Sequence, residues 1–193
     1  MDPVSHVGFL NEGLECIVSN PSFMPYTMFS GWNGAKVIDI PLLLPNYEID
    51  IDGILNAITE RTRLIFLTSP NNPTGTYIPK AAIDILIANI SSSVILVLDE
   101  VYYHFADAED FTTALPYVKA GKNVIAVNSF SKTYGLAALR IGYMYSTPEI
   151  AGYLRRFYRP FLINIIGLNA GIAALSDTDF INKTIDIVQT ERP

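Results

Sequence analysis

The sequence predicts an α/β domain with a mostly parallel sheet, and three features of it carry that expectation. Short runs of unbroken apolar character, Val94-Ile-Leu-Val-Leu98 above all, suit strands covered on both faces. These runs alternate with segments whose apolar residues recur at helical spacing, the rhythm of a layered α/β domain. The conspicuous polar clusters fall directly after the apolar runs, at the carboxyl ends of strands, where open α/β sheets place their ligands.

In chain order, segment 7–13 reads as the tail of a helix closed by Gly13, and 15–19 as a short strand. Asn20-Pro21-Ser22 turns into an aromatic helix over 23–32, interrupted near its start by Pro25. A strand over 35–44 follows, then an amphipathic helix over 50–59 with Ile51, Ile54, Leu55 and Ile58 on one face. Segment 63–68 is a strand, 79–89 a helix with proline in its first turn, and 94–98, 123–127 and 140–145 are strands. From Pro148 onward the pattern is helical, over 149–158, 164–175 and 179–189. It stops at Glu191-Arg192-Pro193 inside a helical pattern, as a truncated chain would.

A chain of 193 residues suffices for one domain with a substantial core. Only 17% of its residues are charged, below the usual quarter, so its surface is expected to be covered by a partner subunit or by further chain. The net charge of −6, with no basic stripe, excludes nucleic acid as a partner. The single cysteine, Cys16, excludes an internal disulfide and reads as a small buried hydrophobe beside Ile17 and Val18. No basic start followed by an apolar block marks a secretory signal, so the expected location is cytoplasmic. Segment 161–175 is too short for a membrane helix and is broken by Asn164, Gly167, Asn169 and Gly171.

The chemistry concentrates in Asn128-Ser129-Phe130-Ser131-Lys132, with Arg140 eight residues beyond the lysine. A lysine at a strand mouth with apolar flanks can lose part of its charge and act as a nucleophilic amine. Serines and an arginine close by suit a phosphate dianion. Together they suggest pyridoxal phosphate, which needs both. Taken by itself, the stretch reads better as carrying a solvated loop lysine. Ser129-x-x-Lys132 also matches the serine–lysine signature of penicillin-recognising enzymes, but the companion motifs are absent, Ser176-Asp177-Thr178 being the nearest approach.

Asp99 ends a run of five apolar residues, where a carboxylate is costly unless a cation faces it; a pyridinium nitrogen would be one, and a cap on the following turn is the plain alternative. Tyr102, a helical turn on, and the amide of Asn72 could both donate to a phenolic oxygen. Equally, Tyr102 could fill the core and Asn72 could serve the strong turn signal Asn72-Pro-Thr-Gly75. The ordered set is far more specific than its parts.

Ser69-Pro-Asn-Asn-Pro-Thr-Gly75, Asp99-Glu-Val-Tyr102-Tyr-His-Phe105 and Ser129-Phe-Ser-Lys132-Thr-Tyr-Gly-Leu-Ala-Ala-Leu-Arg140-Ile-Gly-Tyr143 resemble the class I and II aminotransferases, and within them the histidinol-phosphate aminotransferases most closely. The resemblance runs over nearly the whole chain. It implies a three-layer sandwich, the large domain of the pyridoxal-phosphate-dependent transferases, cut short at both ends. Residues 1–160 would form the cofactor-binding body, and 161–193 a helical segment leading toward a small domain. Lys132 would be the Schiff-base lysine, and Asp99 would hold the pyridine nitrogen. Asn72 and Tyr102 would hold the phenolic oxygen, Phe23 would stack on the ring, and Ser129, Ser131 and Arg140 would anchor the phosphate. The implied reaction moves an amino group between an amino acid or histidinol phosphate and a 2-oxo acid, in a homodimer. The alternatives are a decarboxylase or lyase of the same fold, or a truncated fragment that only binds cofactor. The family's glycine-rich phosphate-binding helix start and carboxylate-binding arginine have no match here, so the chain is expected not to turn over by itself.

Overall fold

A computed structural model describes residues 8–157 and 163–192. Strands β1 (Glu15–Asn20), β2 (Lys36–Pro41), β3 (Thr62–Thr68), β4 (Ile95–Asp99), β5 (Val124–Ser129) and β6 (Gly142–Tyr145) form one sheet in the order β2-β1-β3-β4-β5-β6. The first five run parallel, and β6 pairs antiparallel on β5.

Both faces of the sheet are covered, which is why its central strands read as unbroken apolar runs. Successive side chains alternate between two cores. On one face Ile65, Leu67, Leu96, Leu98 and Ala126 pack with Ile54, Ile83, Leu86 and Tyr117. These last come from helices α2 (Ile51–Ala57), α3 (Lys80–Asn89) and α4 (Leu115–Lys119). On the other face Cys16, Val18, Leu64, Phe66, Val97 and Ile125 meet Tyr26, Ile150 and Leu154 of α1 (Pro25–Trp32) and α5 (Pro148–Leu154). The expected three-layer sandwich is the one observed, and Cys16 is a buried apolar filler as expected.

Several boundaries differ from the sequence reading, each for a local reason. Pro25 starts α1 and does not interrupt it, since a first-turn residue needs no donor. β2 stops at Pro41, and beyond it Leu43 turns back to pair with Glu48 through two backbone bonds of 2.8 and 3.1 Å. β5 runs on to Ser129 because Asn128 and Ser129 find partners in Tyr143 and Gly142. β6 begins only at Gly142, because Arg140 adopts the left-handed conformation at φ 53°. Helix α4 has five residues and was not anticipated; Pro116 in its first turn is its one sequence signal.

Helix α5 gives way to a short 3₁₀ turn at Arg155–Phe157. Val7, Tyr158 and the expected domain boundary at 160 lie outside the described residues. Helices α6 (Ile165–Ser176) and α7 (Thr178–Glu191) start on the caps Asn164 and Asp177, whose side chains accept from Gly167 and Phe180 N–H. α6 lies against the segment following Lys132 through Gly167 and Gly171, where an added Cβ would stand 2.8 and 3.0 Å from Ile141. Ile165, Ile166 and Ile172 of the same helix are exposed. Among the described residues no helix is long and apolar enough to cross a membrane.

Candidate active site

The sheet brings three polar segments to one rim. β3, β4 and β5 are in register through Thr68↔Asp99 and Asp99↔Val127, so their carboxyl ends lie level. Segments 69–75, 99–102 and 128–132 therefore leave the sheet side by side, as the sequence led us to expect. Alternation sends Thr68, Asp99 and Ser129 to the face of α1, and Glu100 and Asn128 to the opposite face.

Asp99 is only 3% exposed. Its Oδ2 accepts from the Tyr26 hydroxyl at 2.5 Å and its Oδ1 from the Val101 N–H at 3.1 Å. The local cap is thus real, and it occupies one oxygen only. Burial pushes the carboxyl above its ordinary range, and the two hydrogen bonds pull against that. Among the described residues Asp99 has no ion pair. A buried carboxylate without a counter-ion, with lone pairs still free, suits a cationic ring nitrogen. Tyr26 stacks on Phe66 with centroids 4.7 Å apart and meets the edge of Phe23 at 5.7 Å. Phe23, Tyr26 and Asp99 are therefore one connected cluster.

Asn72 Nδ2 lies 3.5 Å from the Tyr102 hydroxyl, to which it donates, and Lys132 Nζ stands 5.3 Å from the centre of the Tyr102 ring. Tyr102 does not fill the core; half-buried, it leads into the 3₁₀ turn Tyr103–Phe105. With Asn72, Tyr77, Phe105 and Arg192 it lines an open cleft of about 530 Å³. The apolar neighbours of Lys132 in sequence do not shield it, in keeping with the plain reading of a solvated loop lysine. Lys132 is exposed on the rim, while Phe130 and Tyr134 turn inward.

Ser129 and Ser131 are brought together directly, Ser129 Oγ accepting from Ser131 N–H at 3.0 Å. The β5–β6 pairing and the bond from Phe130 N–H to Ile141 O at 3.2 Å carry Arg140 to the same loop base. There its guanidinium donates to Ala137 O at 2.7 Å and remains exposed. Two hydroxyls and an exposed guanidinium on one loop are a donor set that fits a phosphate.

Two residues at this rim were missed from sequence. Tyr26 reaches Asp99 across 73 positions, a separation no local pattern reports. Glu100 is as buried as Asp99, and its one signal was a second acid directly after an apolar strand. A third buried acid, Glu15, lies at the opposite end of the sheet, held by Thr59 at 2.6 Å and Arg61 at 2.8 Å. It belongs to the fold and not to the site.

With this geometry in hand, comparison with known proteins is specific. The family model described as aminotransferase class I and II matches residues 6–192. The chain is 40% identical over 180 residues to a histidinol-phosphate aminotransferase of Moorella thermoacetica, covering 93% of this chain and 46% of that protein. It is 38% identical over 180 residues to an aromatic amino acid aminotransferase of Corynebacterium efficiens, covering 93% and 53% respectively. Among solved structures, the histidinol-phosphate aminotransferase of Sinorhizobium meliloti in complex with pyridoxal-5'-phosphate superposes with a TM-score of 0.86 at 27% identity, over 95% of this chain and 49% of that one. The chain spans about half the length of the curated relatives it matches.

Proposed function

The chain belongs to the class I and II aminotransferases, and from that membership we propose that it carries the cofactor-handling machinery of a pyridoxal-phosphate-dependent amino transfer. The observation that supports this most is Asp99, a buried carboxylate with no ion pair among the described residues, level with the segment that bears Lys132. When bound, the cofactor supplies the electron sink for bond cleavage at the substrate's α-carbon.

The rest falls to side chains of this chain. Asp99 holds the ring nitrogen in its protonated form. Asn72 and Tyr102 direct an amide N–H and a hydroxyl at the phenolic oxygen, and Phe23 covers one face of the ring. Ser129, Ser131 and Arg140 take the phosphate. Lys132 Nζ would hold the cofactor covalently until the substrate's amine takes its place, and the amine so freed would serve as general base toward the proton on the α-carbon. The substrates are an amino acid or histidinol phosphate and a 2-oxo acid, and the working form is a cytoplasmic homodimer. Residues 1–160 are the cofactor-binding body and 161–193 the helical segment leading from it.

The test is a half-reaction. The protein is saturated with pyridoxal phosphate, freed of excess by gel filtration, and exposed to glutamate or histidinol phosphate. A single half-reaction without further turnover is expected, giving at most one equivalent of carbonyl product per retained cofactor, and none with Lys132→Ala. Carbon dioxide in place of that product would mark a decarboxylase, and failure to retain any cofactor would contradict the proposal.

A further inference from the structure

Glu100 is a buried acid beside the site for which the proposed chemistry has no use. It is 1% exposed and forms no ion pair among the described residues. Its Oε1 accepts from the Ala114 N–H, and its Oε2 from Asn128 Nδ2 at 3.3 Å and the Tyr145 hydroxyl at 2.7 Å. A carboxylate in such a place stabilises a fold less well than an apolar side chain of the same shape, unless its hydrogen bonds fix something.

What these bonds fix is the base of the Lys132 loop. Asn128 directly precedes Ser129 at the end of β5, and Tyr145 lies on β6, the strand that leaves Arg140. The loop between those strands is closed by Phe130 N–H to Ile141 O at 3.2 Å and Leu136 N–H to Phe130 O at 2.9 Å. Glu100 also follows Asp99 in the chain, and its own N–H continues the ladder to Val127 O at 2.9 Å. One peptide unit thus joins the acid assigned to the ring nitrogen on one face to an acid gripping both strands of the lysine loop on the other.

We propose that Glu100 is a positioning residue: by holding Asn128 and Tyr145 it sets the lysine loop, and with it Ser129, Ser131, Lys132 and Arg140, at a fixed place relative to Asp99. The inference rests on the cofactor reading above, and its test keeps the two apart.

Wild type, Glu100→Ala, Glu100→Gln and Tyr145→Phe are incubated with pyridoxal phosphate and reduced with borohydride. The share of label on the Lys132 peptide is measured by mass against all other lysines. Thermal unfolding without cofactor fixes a temperature at which every variant is folded. Glu100→Ala should lower the Lys132 share about ten-fold, in line with the loss of buried hydrogen bonds to a charged group. Glu100→Gln, of the same shape and able to re-pair once the Asn128 amide turns over, should restore most of it. Tyr145→Phe, which removes one of the three donors, should give an intermediate loss. A Lys132 share that stays at the wild-type value while only the melting temperature falls would make Glu100 a fold residue and overturn the inference. If Glu100→Ala does not fold, Tyr145→Phe decides by the same criterion. Wild type without preference for Lys132 would instead refute the cofactor reading, and this inference with it.

Discussion

Replacing Tyr26 by phenylalanine removes a single oxygen atom from the surroundings of Asp99 and leaves the ring stacked on Phe66 and against Phe23. The atom lost donates to Asp99 Oδ2 at 2.5 Å between two buried groups. A hydrogen bond to an ionised acceptor is worth about 1.5–3 kcal/mol. In a domain of this size each kcal/mol moves the melting temperature by about 2–4 °C, so Tyr26→Phe should lower it by roughly 3–12 °C at pH 7. The pH dependence makes the prediction sharper. Burial holds the Asp99 carboxyl above its ordinary range, so ionising it costs stability that is fully retained below that range and lost as pH rises through the folded value. The Tyr26 hydroxyl offsets part of that loss by favouring the ionised form. The gap between wild type and variant should therefore widen as pH rises through the folded value of Asp99. Where Asp99 is protonated in both, it should shrink to about 0.5–1.5 kcal/mol, the worth of a neutral hydrogen bond. Urea unfolding at four or five pH values measures it. A gap that is the same at every pH would show that the hydroxyl does not act through the charge of Asp99, and the reasoning would fail.

Other expectations are simpler to check. Lys132→Ala should leave urea stability within about 0.5 kcal/mol of wild type, because an exposed side chain contributes little to packing. Gly135→Ala, at φ +67° in the turn after Lys132, should destabilise by about 1–2 kcal/mol from left-handed backbone strain. The contact its Cβ would make 3.0 Å from Phe180 Cζ adds to that, and unchanged stability would contradict the turn geometry. Glu15 differs from Asp99 in sign: the Thr59 hydroxyl first, then Arg61 and Lys36, hold its carboxyl below the ordinary range against the effect of burial. Its contribution is present above that range and lost as pH falls through the folded value, so Glu15→Gln should flatten the acid limb of a stability–pH curve and leave the Lys132 label unchanged.

The sheet was legible because both its faces are buried: 94–98 and 63–68 read as strands from apolar continuity alone, and the polar residues after them marked the rim. The candidate site was legible as three short segments that the sheet brings to one rim, Asn72 to Gly75, Asp99 to Tyr102 and Ser129 to Lys132. What escaped was set by distance along the chain or by dihedral angles. The Tyr26–Asp99 bond and the grip of Glu100 on Asn128 and Tyr145 join elements that no periodicity connects. The late start of β6 follows from the left-handed turn at Arg140, a conformation arginine does not advertise. Lys132 lies exposed on the rim, as the plain reading of a solvated loop lysine has it, while its apolar neighbours in sequence, Phe130 and Tyr134, pack inward.

The central claim is that Lys132, on the same rim of a mostly parallel sheet as Asp99, is the amine that captures pyridoxal phosphate. Borohydride reduction of the wild-type protein with the cofactor, followed by peptide mapping, addresses it most directly. The account predicts label concentrated on the peptide containing Lys132 and lost when Asp99 is replaced by alanine at a cofactor level that just saturates wild type. Label spread over Lys36, Lys80, Lys119, Lys122 and Lys183 in proportion to their exposure would contradict it.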